Sequence, residues 1–162
     1  MDFVSDALFN GQRFRALTLM DTCAWECLAI QVDTSIRGER VVDVVREVSR
    51  HRGVPARTQV DNGSELISRT LDLWADQHSV TLDFSRPGRP TDQPFIESFD
   101  GSFRDECLNT HWFLSLSDAA QKIEHWRIDY NVLRPHSSLE NLAPSAFRER
   151  VALTRRPSEG PS

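Results

Sequence analysis

Asn10-Gly11 separates two runs that alternate apolar and polar residues, Asp2 to Phe9 and Arg13 to Asp21. Asn-Gly is the preferred pair for a two-residue hairpin, because both turn positions need a positive φ that most side chains resist. The chain therefore opens on two antiparallel strands. Trp25 to Val32 continues the alternation, with Leu28, Ile30 and Val32 expected on one face of a third strand. At Gly38 the period changes, and Val41, Val44, Val45 and Val48 recur at helical spacing up to Arg52, where Gly53 and Pro55 close the helix. A meander that gives way to an amphipathic helix excludes an all-β sandwich and a helix bundle.

The remaining pattern extends this start. Arg57 to Asp61 reads as a fourth strand ending at Asn62-Gly63, and Ser64 as the cap of a second helix carrying Leu66, Ile67, Leu71, Trp74 and Ala75. Thr81 to Phe84 is a fifth strand. The loop SRPGRPTDQP leads to a long helical segment, Phe95 to Asn109, and Ser117 with Gln121 opens another helix with Ile123, Trp126 and Tyr130 on one stripe. Pro144 suits the first position of a short terminal helix. The elements describe an α/β fold, a mixed five-stranded sheet flanked by helices. Its expected division is one domain over residues 1–150 and a disordered tail over 151–162, a length sufficient for one core without disulfides.

Apolar residues make up 39% of the chain and charged residues 27%, a globular balance, and no apolar run reaches the roughly 20 residues that cross a bilayer. The first ten residues lack the basic start and cleavage site of a secretory signal, so the expected location is cytoplasmic. Three cysteines, Cys23, Cys27 and Cys107, are an odd number without zinc-finger partners, which favours free thiols. Cys23 and Cys27 are expected on the same face of one strand.

A net charge of −5 argues against nucleic-acid binding by overall electrostatics, since phosphate neutralisation needs clustered Lys and Arg. The sign changes locally. Arg86, Arg89, Arg104, Arg127 and Arg134 lie in the second half, and a site built from carboxylates is acidic until a cation arrives.

Three acids stand where function is usually placed: Asp2 on the first strand, Asp61 at the end of the fourth, and Glu97 early in a helix behind a Pro/Gly loop. A charge at the end of a buried strand is costly unless a metal or hydrogen bonds compensate it. Carboxylates suit Mg²⁺ or Mn²⁺, and two such ions can activate an attacking oxygen and stabilise a leaving one at phosphorus. With 24 acidic residues in the chain, spacing alone does not single these three out, and Asp21, Asp33, Asp83 and Asp92 also border strands or loops.

Longer stretches narrow the choice. MDFVSD, VDNGSE, GRPTDQPFIESFDGSFRDECLN and YNVLRPHSSL resemble the integrase core of bacterial insertion-sequence transposases, most closely insertion-sequence family three. Between Asp61 and Glu97 stand 35 residues, the D,D-35-E spacing of that family and of the similar retroviral integrases. The resemblance spans Asp2 to about Phe147. It implies an RNase H-like fold with the first and fourth strands side by side. It also implies that Asp2, Asp61 and Glu97 hold two Mg²⁺ or Mn²⁺ ions, that a phosphodiester is hydrolysed at a transposon end, and that the freed 3′-hydroxyl attacks a second DNA strand.

Arg104, seven residues after Glu97, falls on nearly the same helix face and is expected to contact DNA, as are Arg86 and Arg89 in the preceding loop. Gly101 would let a backbone approach closely, or is only a weak point in the helix. Arg134-Pro135-His136 resembles the family's RPH ending, whose task the residues do not reveal.

Two departures from the family stand out. Asp100 occupies a position where members commonly have Asn, and it is expected to weaken DNA approach or perturb metal binding. The chain also starts close to its first acid, without the helix-turn-helix region that precedes the core in the family. A truncated frame or excised core is expected on that ground, with Asp2 beside a chain end where a frayed first strand would leave the metals two ligands instead of three. The partners implied are transposon-end and target DNA, a homo-oligomer on DNA, and an upstream-frame DNA-binding segment, in a bacterial, nucleoid-associated setting. The alternatives are an inactive remnant that binds only DNA or transposase subunits, and a host nuclease of the same fold, which the FIESFDGSFRDECLN and YNVLRPHSSL stretches disfavour.

Overall fold

The structure is a computed structural model that describes residues 1–61, 66–84 and 94–154. Strands β1 (Asp2–Ala7), β2 (Arg13–Asp21) and β3 (Glu26–Asp33) form an antiparallel meander in the order β1-β2-β3. The turn is a three-residue loop rather than a two-residue one: the Leu8 N–H donates to the Gln12 carbonyl at 2.8 Å, and only Gly11, with φ 85°, is left-handed. Helix α1 (Gly38–Arg52) follows and stops at Gly53, whose φ of 84° would strain any other residue. Strand β4 (Arg57–Val60) runs parallel to β5 (Thr81–Phe84), with α2 (Arg69–Gln77) as the crossover. Helix α3 (Pro94–Phe103) runs directly into a π-helical segment (Arg104–Leu108), and α4 (Leu116–Val132) and α5 (Pro144–Thr154) complete the chain.

A single residue joins the two sheets. The Met1 nitrogen donates to the Gln59 carbonyl at 2.8 Å, and the Asp61 N–H donates to the Met1 carbonyl at 3.3 Å. Bonds to the residues before and after Val60 are the pattern of a parallel bridge. They set the start of β1 beside the end of β4, so the three-stranded sheet β1-β2-β3 and the two-stranded sheet β4-β5 adjoin through these two bonds. Met1 is buried, so β1 does not fray at Asp2, which pairs with Thr18.

The strands are covered on both faces. Leu17, Leu19 and Val60 pack with Val41, Val45, Leu71 and Trp74 from α1 and α2. Val4, Phe14, Ala16 and Val32 pack with Phe99, Phe103, Ile123 and Tyr130 from α3 and α4. Interleaved apolar side chains on both faces are what a mixed sheet with crossover helices requires.

Several expectations change. Strand β3 starts at Glu26, and Cys23 sits exposed in the preceding turn while Cys27 is buried in the strand, so the two share no face. The register shifts between Leu19 and Met20, which pair with Ala29 and Cys27, leaving Leu28 as the extra residue of a bulge. The bulge breaks the alternation: Leu28 packs toward α1, whereas Ile30 and Val32 pack toward α3 and α4. Helix α2 begins at Arg69, capped by Ser68, whose Oγ accepts from the Leu71 N–H at 3.3 Å. Ser64, the expected cap, lies outside the described residues, as do Asn62 and Gly63 and the loop over 85–93. Helix α4 is capped by Ser115 rather than Ser117. Helix α5 runs through Thr154, and residues 155–162 lie outside the described part.

Candidate active site

Asp2 and Asp61 stand on neighbouring strands because of the bridge at Met1. Asp61 directly follows Val60, the last residue of β4, and its own N–H makes one of the bridging bonds. Asp2 opens β1, and its Oδ1 accepts the Phe3 N–H at 2.6 Å while its carbonyl accepts from the Thr18 hydroxyl at 3.3 Å. Both acids are half-buried.

The third element is α3. Glu97 lies in its first turn and is exposed, and Asp100 lies one turn later, half-buried. The Asp100 carboxyl lies close enough to the Asp2 carboxyl of the sheet to share a proton with it. Two carboxylates cannot bond without a proton between them, and burial, the bond to Asp2 and the Asp2 charge together raise the Asp100 pKa to about 8. Arg104 and the Met1 amino group act in the opposite direction. Oδ1 of Asp100 is buried with no hydrogen-bond partner among the described residues.

Three acids act on the buried Met1 amino group. The Met1 amino group has its pKa lowered to about 6 by desolvation, while the charges of Asp2, Asp100 and Asp61 all act to raise it. Asp2, Asp61 and Asp100 therefore gather around Met1. Glu97 shares a helix side with Asp100 but projects outward. Among the described residues, no group of three His, Cys, Asp or Glu side chains stands close enough to hold a metal ion.

Arg104 is exposed at the junction of α3 with the π segment, on the side that carries Glu97 and Asp100. Arg86 and Arg89 lie outside the described residues. A Cβ built on Gly101 meets nothing within 4 Å, so none of the described residues makes the close approach expected there. Single-turn π segments inside helices often mark functional positions. This one is not visible in apolar periodicity, because Cys107 and Leu108 bury equally well in a continued α-helix.

Two further groups had no reading in the sequence. Asn131 accepts the Cys27 N–H at 2.8 Å and donates to the Cys27 carbonyl at 2.8 Å, and Arg127 donates to the same carbonyl at 2.8 Å. These bonds cap β3, an edge strand, beside its bulge. Trp25, in the β2–β3 turn, holds φ 56°, a conformation that a bulky side chain adopts only under tertiary constraint. No local sequence signal marks either role.

Five strands in two adjoining sheets, helices on both faces and acids at the ends of the first and fourth strands define an RNase H-like fold. Solved structures share it. The chain superposes on a chain of the simian T-cell lymphotropic virus intasome in complex with PP2A regulatory subunit B56 gamma, with a TM-score of 0.76 at 14% identity, covering 99% of this chain and 54% of that one. The HTLV-2 integrase catalytic core domain in complex with magnesium gives a TM-score of 0.66 at 12% identity, covering 90% of this chain and 91% of that one.

Sequence comparison is more specific. The integrase core domain matches over residues 1–90 and again, in a second description, over residues 78–144. This chain belongs to the integrase core domain family. It is 48% identical over 147 residues to a 31.7 kDa protein of insertion element IS407 from Burkholderia multivorans, covering 91% of this chain and 53% of that protein. It is 45% identical over 147 residues to a 39.2 kDa protein of insertion element IS476 from Xanthomonas euvesicatoria, covering 91% and 42%. The chain thus spans about half the length of the curated relatives it matches. No helix among the described residues is long and apolar enough to cross a membrane.

Proposed function

We propose that this chain is the catalytic core of a DNA transposase, which cuts and rejoins phosphodiesters with divalent cations held by Asp2, Asp61 and Glu97. The observation that carries this reading is the bridge at Met1. It sets Asp2 and Asp61 on adjacent strands, and the Asp2–Asp100 contact ties them to the helix that bears Glu97. Kinship with insertion-element proteins supports mobile DNA as the substrate.

The donor set fits a hard cation. Carboxylate oxygens are the preferred ligands of Mg²⁺ and Mn²⁺, and the buried Asp100 oxygen beside Asp2 has no hydrogen-bond partner among the described residues, as an oxygen that faces a cation would. When bound, a pair of such ions supplies an activated water or 3′-hydroxyl and neutralises the leaving oxygen. The chain's own residues do the rest. Asp2 and Asp61, fixed by backbone bonds to β2 and Met1, orient their carboxylates from the sheet. Glu97 approaches from α3, and Arg104, with Arg86 and Arg89, binds DNA phosphates. Transposon ends and target DNA are the partners, on a multimer that holds two ends together, with an upstream DNA-binding segment to recognise them.

A second reading, a core that binds DNA without cutting it, draws on the Asp2–Asp100 pair, whose proton occupies a ligand position. Mn²⁺-dependent nicking of a short duplex separates the two. The catalytic reading expects nicking that Asp61→Asn lowers by at least about a hundredfold. Binding without metal-dependent cleavage, or cleavage indifferent to Asp61→Asn, would sink it.

A further inference from the structure

Arg134-Pro135-His136 has no place in the chemistry above, yet its side chains meet both ends of the segment that carries Glu97. We propose that it is a two-ended clamp: Arg134 grips the π segment through Glu106, and His136 braces the first turn of α3 through Trp25 and Phe95. The proposal rests on the reading of Glu97 as a metal-holding residue, and Arg134 and His136 are positioning residues under it.

The geometry starts at Pro135. A residue before proline is pushed out of the helical region, and α4 ends at Val132. In the extended stretch that follows, positions two apart point to the same side. Arg134 donates to both carboxylate oxygens of Glu106, a paired, charge-assisted contact, and its guanidinium lies 5.6 Å from the Tyr130 ring. His136 lies between two rings, 5.1 Å from Tyr130 and 5.7 Å from Trp25. Trp25 in turn meets Phe95 edge-on at 4.6 Å, and Tyr130 meets Phe99 edge-on at 5.1 Å. Phe95 and Phe99 flank Glu97 at two residues on either side.

The brace is itself held. The His136 N–H donates to the Leu142 carbonyl at 3.1 Å, and its own carbonyl accepts from Leu139 and Asn141 at 3.0 and 2.9 Å. Trp25 keeps its positive φ, so the turn is committed to presenting the indole to Phe95. Burial lowers the His136 pKa, and its Nε2 is buried without a hydrogen-bond partner, which leaves the imidazole working as a neutral ring. Glu97 is exposed and no hydrogen bond to its side chain is seen among the described residues, so the placement of the helix sets its direction.

Hydrogen exchange and steady-state nicking on the 162-residue chain test this with His136→Ala, His136→Phe, Arg134→Ala and Arg134→Lys. The amides of Ser98 and Phe99 close the first turn of α3. They are expected to lose at least about tenfold protection in His136→Ala, and Asn109, bonded to the Arg104 carbonyl, a similar amount in Arg134→Ala, with α1 unchanged in both. His136→Phe and Arg134→Lys restore most of it. Turnover with Mn²⁺ is expected to fall about 10- to 100-fold in the alanine variants, with KM for DNA within about threefold. Unchanged protection, equal loss in α1, or a phenylalanine variant no better than alanine overturns the clamp. If the unaltered chain shows the exchange pattern but no nicking, the catalytic reading fails and the clamp stands.

Discussion

Asp100 on α3 lies against Asp2 on β1, and burial together with that neighbouring carboxylate raises the Asp100 pKa to about 8, so Asp100 keeps its proton at a pH where most carboxylates have lost theirs. The sign of its effect on stability follows. Asp100 is raised from 3.8 to about 8, so between those values the folded chain binds more protons than the unfolded one. Stability contributed by the pair is present below about pH 4 and is lost as pH rises through about 8. In metal-free buffer, Asp100→Asn is expected to flatten this decline, adding about 1–2 kcal/mol at pH 8 and little at pH 4. Urea midpoints at the two pH values check it, and parallel curves for both proteins would refute the shared proton.

Asn131 stands in for a missing strand. Its amide gives Cys27 both an acceptor and a donor, so truncation leaves a buried N–H and C=O without one partner each. Asn131→Ala should cost about 2–4 kcal/mol, since each unsatisfied buried group costs about 1–3 kcal/mol and Arg127 still serves the carbonyl. Asn131→Asp keeps the acceptor and loses the donor, and should be no better. Thermal unfolding reads both; a shift of less than about 1 °C would mean that water replaces the amide.

These two relationships also show where the sequence stops being legible. Local signals worked where one short stretch decides the outcome. The valines of α1 and Gly53 marked that helix from end to end, and Asn10-Gly11 marked the hairpin. Leu66 and Ile67 misled, because Leu66 is buried from a turn and continues the apolar spacing of α2 backwards across its true cap, Ser68. The Leu28 bulge, the Trp25 turn and the Asp2–Asp100 pair are set by partners distant in the chain, and no local pattern encodes such a partner. The spacing of Asp61 and Glu97 was readable; the outward direction of Glu97 was not.

Gly101 separates a helix weak point from a docking position. An added methyl meets no atom of the chain, so Gly101→Ala should stabilise α3 by about 0.5–1 kcal/mol through helix propensity. If DNA backbone lies against this position, one turn beyond Glu97, the same change raises KM for DNA several-fold while Tm rises. A higher Tm with unchanged KM would leave Gly101 outside the DNA contact.

Cation binding can be tested without any cleavage. A ligand that binds only the folded chain stabilises it by about 2.7 kcal/mol at one hundred times its Kd. Mn²⁺ must displace the proton held between Asp2 and Asp100, so its effect on Tm should be larger at pH 8 than at pH 6. Asp61→Asn and Asp2→Asn should each remove most of the shift, because the two strands supply the fixed ligands. Glu97→Gln should remove less, since Glu97 is exposed and must move inward to join them. A Tm shift that survives Asp61→Asn would place the cation elsewhere on this acidic chain.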